Sequence, residues 1–113
     1  MSLALQKADA FREDFTFQAL WYVRHAGDEI ARRFQKAVDS TLQSLCAQPS
    51  LGRTRRFRHP GLQGLRSVAV ERPFQRLLIF YRADDETLQA VRLMHGARDL
   101  PRRLTEPFGA GNA

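Results

Sequence analysis

Apolar residues recur every three or four positions through the first half of the chain and at strand-like spacing through the second. Leu3 and Leu5 fit a two-residue period and predict a short strand over Ser2–Ala8. Asp9 is the expected N-cap of a first helix, whose face is drawn by Phe11, Phe15, Ala19, Tyr22, Val23 and Ala26. Gly27 ends that helix in the C′ role, and Asp28 is expected to cap a second one. The second stripe, Ile30, Phe34, Ala37, Val38, Thr41, Leu42, Leu45 and Cys46, is the most regular in the chain, and Pro49 and Gly52 stop it. With only Gly27 between them, the two helices are predicted to fold back as an αα-hairpin.

Beyond the breakers Pro60, Gly61 and Gly64, the segments Leu65–Glu71, Gln75–Arg82 and Thr87–His95 are rich in β-branched, aliphatic and aromatic residues and have strand lengths. Short links, Arg72–Phe74 and Ala83–Glu86, make them an antiparallel meander, with Leu77–Tyr81, apolar on both faces, in the middle. Arg98–Leu104 reads as a final helical turn interrupted at Pro101. The order β-α-α-β-β-β defines an α+β fold, a helical hairpin on one face of a small sheet. The domain is expected over residues 1–105, with 106–113 a flexible tail.

At 113 residues the chain holds one core, and 43% hydrophobic with 27% charged residues is the balance of a globular domain. The single cysteine, Cys46, excludes an internal disulfide and fits a reducing, cytoplasmic setting. No apolar run is long enough to span a bilayer, so no membrane association is expected. The net charge of +6 is concentrated in one place. Residues 1–50 carry six bases and six acids and residues 71–113 seven and six, whereas residues 51–70 carry Arg53, Arg55, Arg56, Arg58 and Arg66 with no acid. Such a stretch either meets an anionic partner, nucleic acid or an acidic protein surface, or forms a solvated loop that aids solubility.

The three histidines, His25, His59 and His95, show no metal-ligand spacing, and no serine nucleophile turn or phosphate-binding glycine loop is present. No cofactor is implied. What remains is an arginine–histidine set. Arg66, Tyr81 and His95 are expected near one end of the meander, with Arg76 at the far end of its strand. A histidine titrating near neutrality beside arginines is what cleavage of RNA by its own 2′-hydroxyl requires: one moves protons, the others steady phosphate charge. The plainer reading makes His95 a hydrogen-bonded corner residue, and Asp99 a partner of Arg98 or Arg66. Cys46 reads as core filler. Trp21, beside Phe17 and Leu20, gives the first helix an unusually broad apolar surface, which reads either as core packing or as a surface left for a partner.

Four segments together resemble the RelE/ParE toxins of type II toxin–antitoxin systems, over about residues 3–104. They are Leu42 to Arg53, with Leu45, Pro49, Gly52 and Arg53; Gly64-Leu65-Arg66; Leu78-Ile79-Phe80-Tyr81-Arg82; and Val91 to Leu100, containing His95-Gly96-Ala97-Arg98-Asp99. The last is similar to the ParE-like branch. The resemblance implies a growth-arresting toxin, neutralised in a hetero-oligomer by a cognate antitoxin, that poisons DNA gyrase without catalysis. Its nuclease branch would imply a ribosome-dependent mRNA endoribonuclease, with His95 as acid–base and Arg66 and Arg98 as phosphate holders. The stretch after Asp99, Leu100-Pro101-Arg102-Arg103-Leu104, lacks the tyrosine that many of those nucleases carry. A third reading is a non-toxic antitoxin-binding or operon-regulating module. Arg53, Arg55, Arg56, Arg58 and Trp21 are the expected target- or antitoxin-binding residues.

Overall fold

The structure is a computed structural model and describes residues 2–96. Strand β1 (Ala4–Lys7) leads into helices α1 (Asp9–Ala26) and α2 (Asp28–Ala47). Strands β2 (Arg53–Thr54), β3 (Arg66–Ala69), β4 (Leu77–Ala83) and β5 (Thr87–His95) follow. The sheet order is β1-β5-β4-β3-β2, with β1 parallel to β5 and every other pair antiparallel. The α+β architecture, the helical hairpin, the meander and the central β4 all follow the hydrophobic pattern. The expected turn at Arg98–Leu104 and the tail at 106–113 lie outside the described residues.

Gly27 makes the hairpin possible. Its φ of +95° is open to glycine and strained for residues with a Cβ. Its N–H donates to the Tyr22 carbonyl while its own carbonyl accepts from Ala31 N–H, so one residue closes α1 and opens α2. Neither aspartate caps as expected. Ala8 and Gly27 hold the cap positions without side-chain hydrogen bonds, and Asp9 and Asp28 fall one residue later, inside the first turns. There their charge meets the positive end of the helix dipole.

The stripe of α2 and the residues Phe11, Phe15, Ala19 and Tyr22 of α1 pack on one face of the sheet around Ile79, Tyr81, Leu88 and Leu93. Val23 and Ala26, expected on the same face of α1, are exposed, so the buried face of the helix is narrower than its apolar pattern. Cys46 is buried in this core, which raises its thiol pKa by desolvation. A second cluster, absent from the sequence reading, lies on the other face: Phe80 and Met94 are covered by Leu62 and Leu65, with Phe57 at its margin. The arginine-rich connection therefore forms the edge strand β2 and then folds over the sheet.

Candidate functional site

The connection after α2 is tied to the sheet by Tyr81 and Arg66. The buried Tyr81 hydroxyl accepts the Gly52 N–H at 2.9 Å and donates to the Pro49 carbonyl. Arg66 Nη1 donates to the Gly52 carbonyl at 2.8 Å. A side chain at position 52 would meet the Tyr81 ring, its Cε1 only 2.6 Å from the added Cβ, so glycine is required by close approach. Burial pushes the Tyr81 phenol above its ordinary pKa, against the opposing pull of the Gly52 hydrogen bond and the Arg66 charge.

The five arginines of residues 51–70 divide by surroundings. Arg55 is half-buried: its Nε donates to Ser67 Oγ at 2.7 Å and its guanidinium stands 5.8 Å from the centre of the Phe80 ring. Burial, and then the neighbouring Arg53 charge, lower its pKa, yet a guanidinium stays charged at physiological pH. Arg66 is held by Gly52. Arg53, Arg56 and Arg58 are exposed, and none of them makes an ion pair among the described residues. Arg82, which the sequence reading did not single out, clamps the connection by donating to the Gln63 and Gly61 carbonyls. The result is a basic surface carried on a braced connection.

The expected grouping of Arg66, Tyr81 and His95 is corrected. Arg66 does pair with Tyr81, but His95 pairs with Leu77, at the opposite end of β4. The two ends are about 13 Å apart along the strand at ~3.3 Å per residue. In an antiparallel meander the end of each strand lies beside the start of the one before it, so His95 belongs with Arg76, whose carbonyl accepts the Gly96 N–H. That pairing rule, applied to the predicted strands, would have found it. Arg98 lies outside the described residues.

His95 and Arg76 instead share a groove with Trp21. With Phe17, Tyr22 and Phe74 they line a groove of about 520 Å³ between α1 and the end of the sheet. Phe17, Leu20 and Trp21 are each about half exposed, and His25 stacks on the Trp21 indole at 4.6 Å. Among the described residues no three His, Cys, Asp or Glu side chains gather to hold a metal ion, and no helix is long and apolar enough to cross a membrane. The two surfaces suit binding: one offers guanidinium groups to anions, the other an apolar floor with a basic rim.

A helical hairpin on this sheet is the fold of toxins from toxin–antitoxin pairs. The chromosomal ParDE system from Pseudomonas aeruginosa superposes with a TM-score of 0.66 at 19% identity, covering 83% of this chain and 96% of that one. The toxin–antitoxin complex RelBE2 from Mycobacterium tuberculosis does so with a TM-score of 0.57 at 19% identity, covering 84% and 99%. Comparison with curated protein sequences gives no match. The family model of the ParE toxin of type II toxin–antitoxin systems matches residues 6–100, and the chain belongs to this family.

Proposed function

We infer that this ParE-family toxin arrests growth by binding DNA gyrase, without catalysis of its own, and that a cognate antitoxin neutralises it in the cytoplasm. The observation that supports this reading over the nuclease is the separation of His95 from Arg66, one of the two expected phosphate holders. A nuclease built on them needs the proton-transfer group and the phosphate holder at one scissile bond. Here they stand at opposite ends of β4, with Arg66 already bonded to Gly52. The antitoxin is a small protein with an acidic segment, which would lie along Arg53, Arg56 and Arg58, where Arg55 braces the connection.

Pulse labelling just after induction, in cells lacking the antitoxin, tests the reading. Thymidine incorporation is expected to fall within minutes while methionine incorporation continues, and the purified protein is expected to block gyrase supercoiling. His95→Ala is expected to keep its toxicity. An immediate stop in methionine incorporation, abolished by His95→Ala, would overturn the gyrase reading in favour of mRNA cleavage.

A further inference from the structure

We propose that Arg53, Arg56 and Arg58 form a site for the phosphate backbone of double-stranded DNA, bound without regard to sequence. The chain that carries them is fixed at the positions in between. Gly52 is held by Tyr81 and Arg66. Arg55 is held through its N–H, which donates to the Leu65 carbonyl at 2.9 Å, and through its Nε on Ser67. The Phe57 carbonyl accepts Gln63 Nε2 at 2.7 Å, and Arg82 in turn holds the Gln63 and Gly61 carbonyls. Positions 52, 55 and 57 are thus pinned, while the alternating positions 53, 56 and 58 carry exposed guanidinium groups. A ligand that takes them has little backbone left to order, which is the advantage of preorganisation.

The dimensions and the chemistry suit a duplex. Arg53 to Arg58 is five residue steps, at most ~18 Å of chain. With a phosphate every ~3.4 Å of axis along one strand, that reach covers about five base pairs. Guanidinium forks match phosphate oxygens, and residues 51–70 hold no acid to repel them. Unpaired strands ask for more, because their successive bases stack on exposed aromatic rings. Here Phe80 is buried with Arg55 over its ring, Phe57 is half-buried, and His59 is the only exposed ring of residues 51–70. A folded protein asks for an apolar centre, and Leu51 is the only large apolar side chain exposed in the same stretch.

This is the surface assigned above to the antitoxin's acidic segment. A duplex and that segment cannot hold the same three guanidinium groups together, so the antitoxin also frees the toxin from DNA. That consequence rests on the antitoxin reading. Binding of DNA by the chain itself does not, nor does it depend on gyrase being the target.

Fluorescence anisotropy of the full-length protein with short labelled duplexes of two unrelated sequences, over a series of salt concentrations, tests the site. Equal affinity for the two is expected. The logarithm of the association constant should fall against that of salt with a slope of about −2.7, three contacts at ~0.9 each. Arg53→Gln, Arg56→Gln and Arg58→Gln should each flatten that slope by about 0.9, with circular dichroism confirming that each is folded. Arg33→Gln removes the same charge from an exposed arginine of α2, beside Glu29, and should leave the slope unchanged. Equal flattening by Arg33→Gln would overturn the proposal, since net charge alone would then drive binding. Tighter binding of an unpaired DNA or RNA strand than of the duplex would overturn it in favour of a single-strand surface. So would a duplex that fails to bind while a labelled polyglutamate peptide binds through the same arginines, which would reserve the surface for acidic protein segments.

Discussion

Asp14 of α1 and Arg92 of β5, 78 residues apart in sequence, meet in a two-point ion pair, Nε to Oδ2 at 2.7 Å and Nη2 to Oδ1 at 3.0 Å. Each side chain is only 8% exposed. The same Oδ2 accepts the Leu93 N–H at 3.0 Å. The reason lies in the sheet. β1 ends at Lys7, opposite Ala90, and the Ala8 N–H takes the Ala90 carbonyl. Beyond that point β5 has no strand on this side, so a carboxylate from α1 supplies the missing acceptor. The register shift at Phe80 and Tyr81 leaves Val91 as the extra residue just before Arg92, and bulges commonly re-aim a side chain in this way.

Removing one partner of a buried pair costs more than the pair itself contributes. Asp14→Ala is therefore expected to lose roughly 3–5 kcal/mol. Replacing both groups by apolar ones, Asp14→Leu with Arg92→Met, should recover much of that loss, although the Leu93 N–H remains without its acceptor. Urea unfolding of the two variants checks this; equal midpoints for Asp14→Ala and the wild type would show that the pair does not hold α1 to the sheet.

The hairpin and the meander were legible because their signals are local: a regular stripe on α2, a lone glycine between helices, and β-rich runs with short links. The Asp14–Arg92 pair was not, since neither residue's neighbourhood announces a partner across most of the chain. Arg66 and Tyr81 share one end of the meander, as their strand positions predict, whereas His95 lies at the other end because β5 runs antiparallel to β4. The arginine stretch read as one charged run, yet it contains the edge strand β2 and the cover of a second core. Leu62 and Leu65 bury there by tertiary contact rather than by any period in the sequence.

Gly52 and Tyr81 supply a second prediction. Gly52→Ala drives a methyl into the Tyr81 ring, and such overpacking is expected to cost about 1–3 kcal/mol. Tyr81→Phe keeps the ring but removes the hydroxyl that serves Gly52 and Pro49, a loss of about 1–3 kcal/mol for buried groups left without a partner. Thermal melts of both variants should show lower midpoints with the far-ultraviolet spectrum preserved. A Gly52→Ala protein as stable as the wild type would mean that the connection moves away from Tyr81 at no cost.

The arginines of the connection should separate into two kinds. Arg55→Ala removes a hydrogen bond to Ser67 and the contact over Phe80, and is expected to lower stability by about 1–2 kcal/mol. Arg53→Glu, Arg56→Glu and Arg58→Glu alter exposed side chains and should each stay within about 0.5 kcal/mol of the wild type. Heparin elution reverses the ranking: charge reversal at the exposed positions lowers the eluting salt concentration more than Arg55→Ala does. Toxicity and antitoxin affinity that survive all three reversals would reduce these arginines to a solubilising surface.

Asp84 gives the protein a defined acid response. Its Oδ1 accepts the N–H groups of Glu86, at 2.8 Å, and Thr87, at 2.7 Å, closing the turn between β4 and β5. These two hydrogen bonds favour the charged form and hold the carboxyl below its ordinary pKa, even though the group is exposed. A depressed native pKa means that the unfolded chain binds the proton more readily. The stabilisation is thus complete above the ordinary aspartate value of about 3.9 and is lost as pH falls toward the lower native value. Asp84→Asn keeps an acceptor for both N–H groups and removes the titration. Its stability is therefore expected to decline less steeply than that of the wild type below about pH 4 in urea titrations. Parallel decline of the two proteins over that range would place the acid sensitivity in other carboxylates.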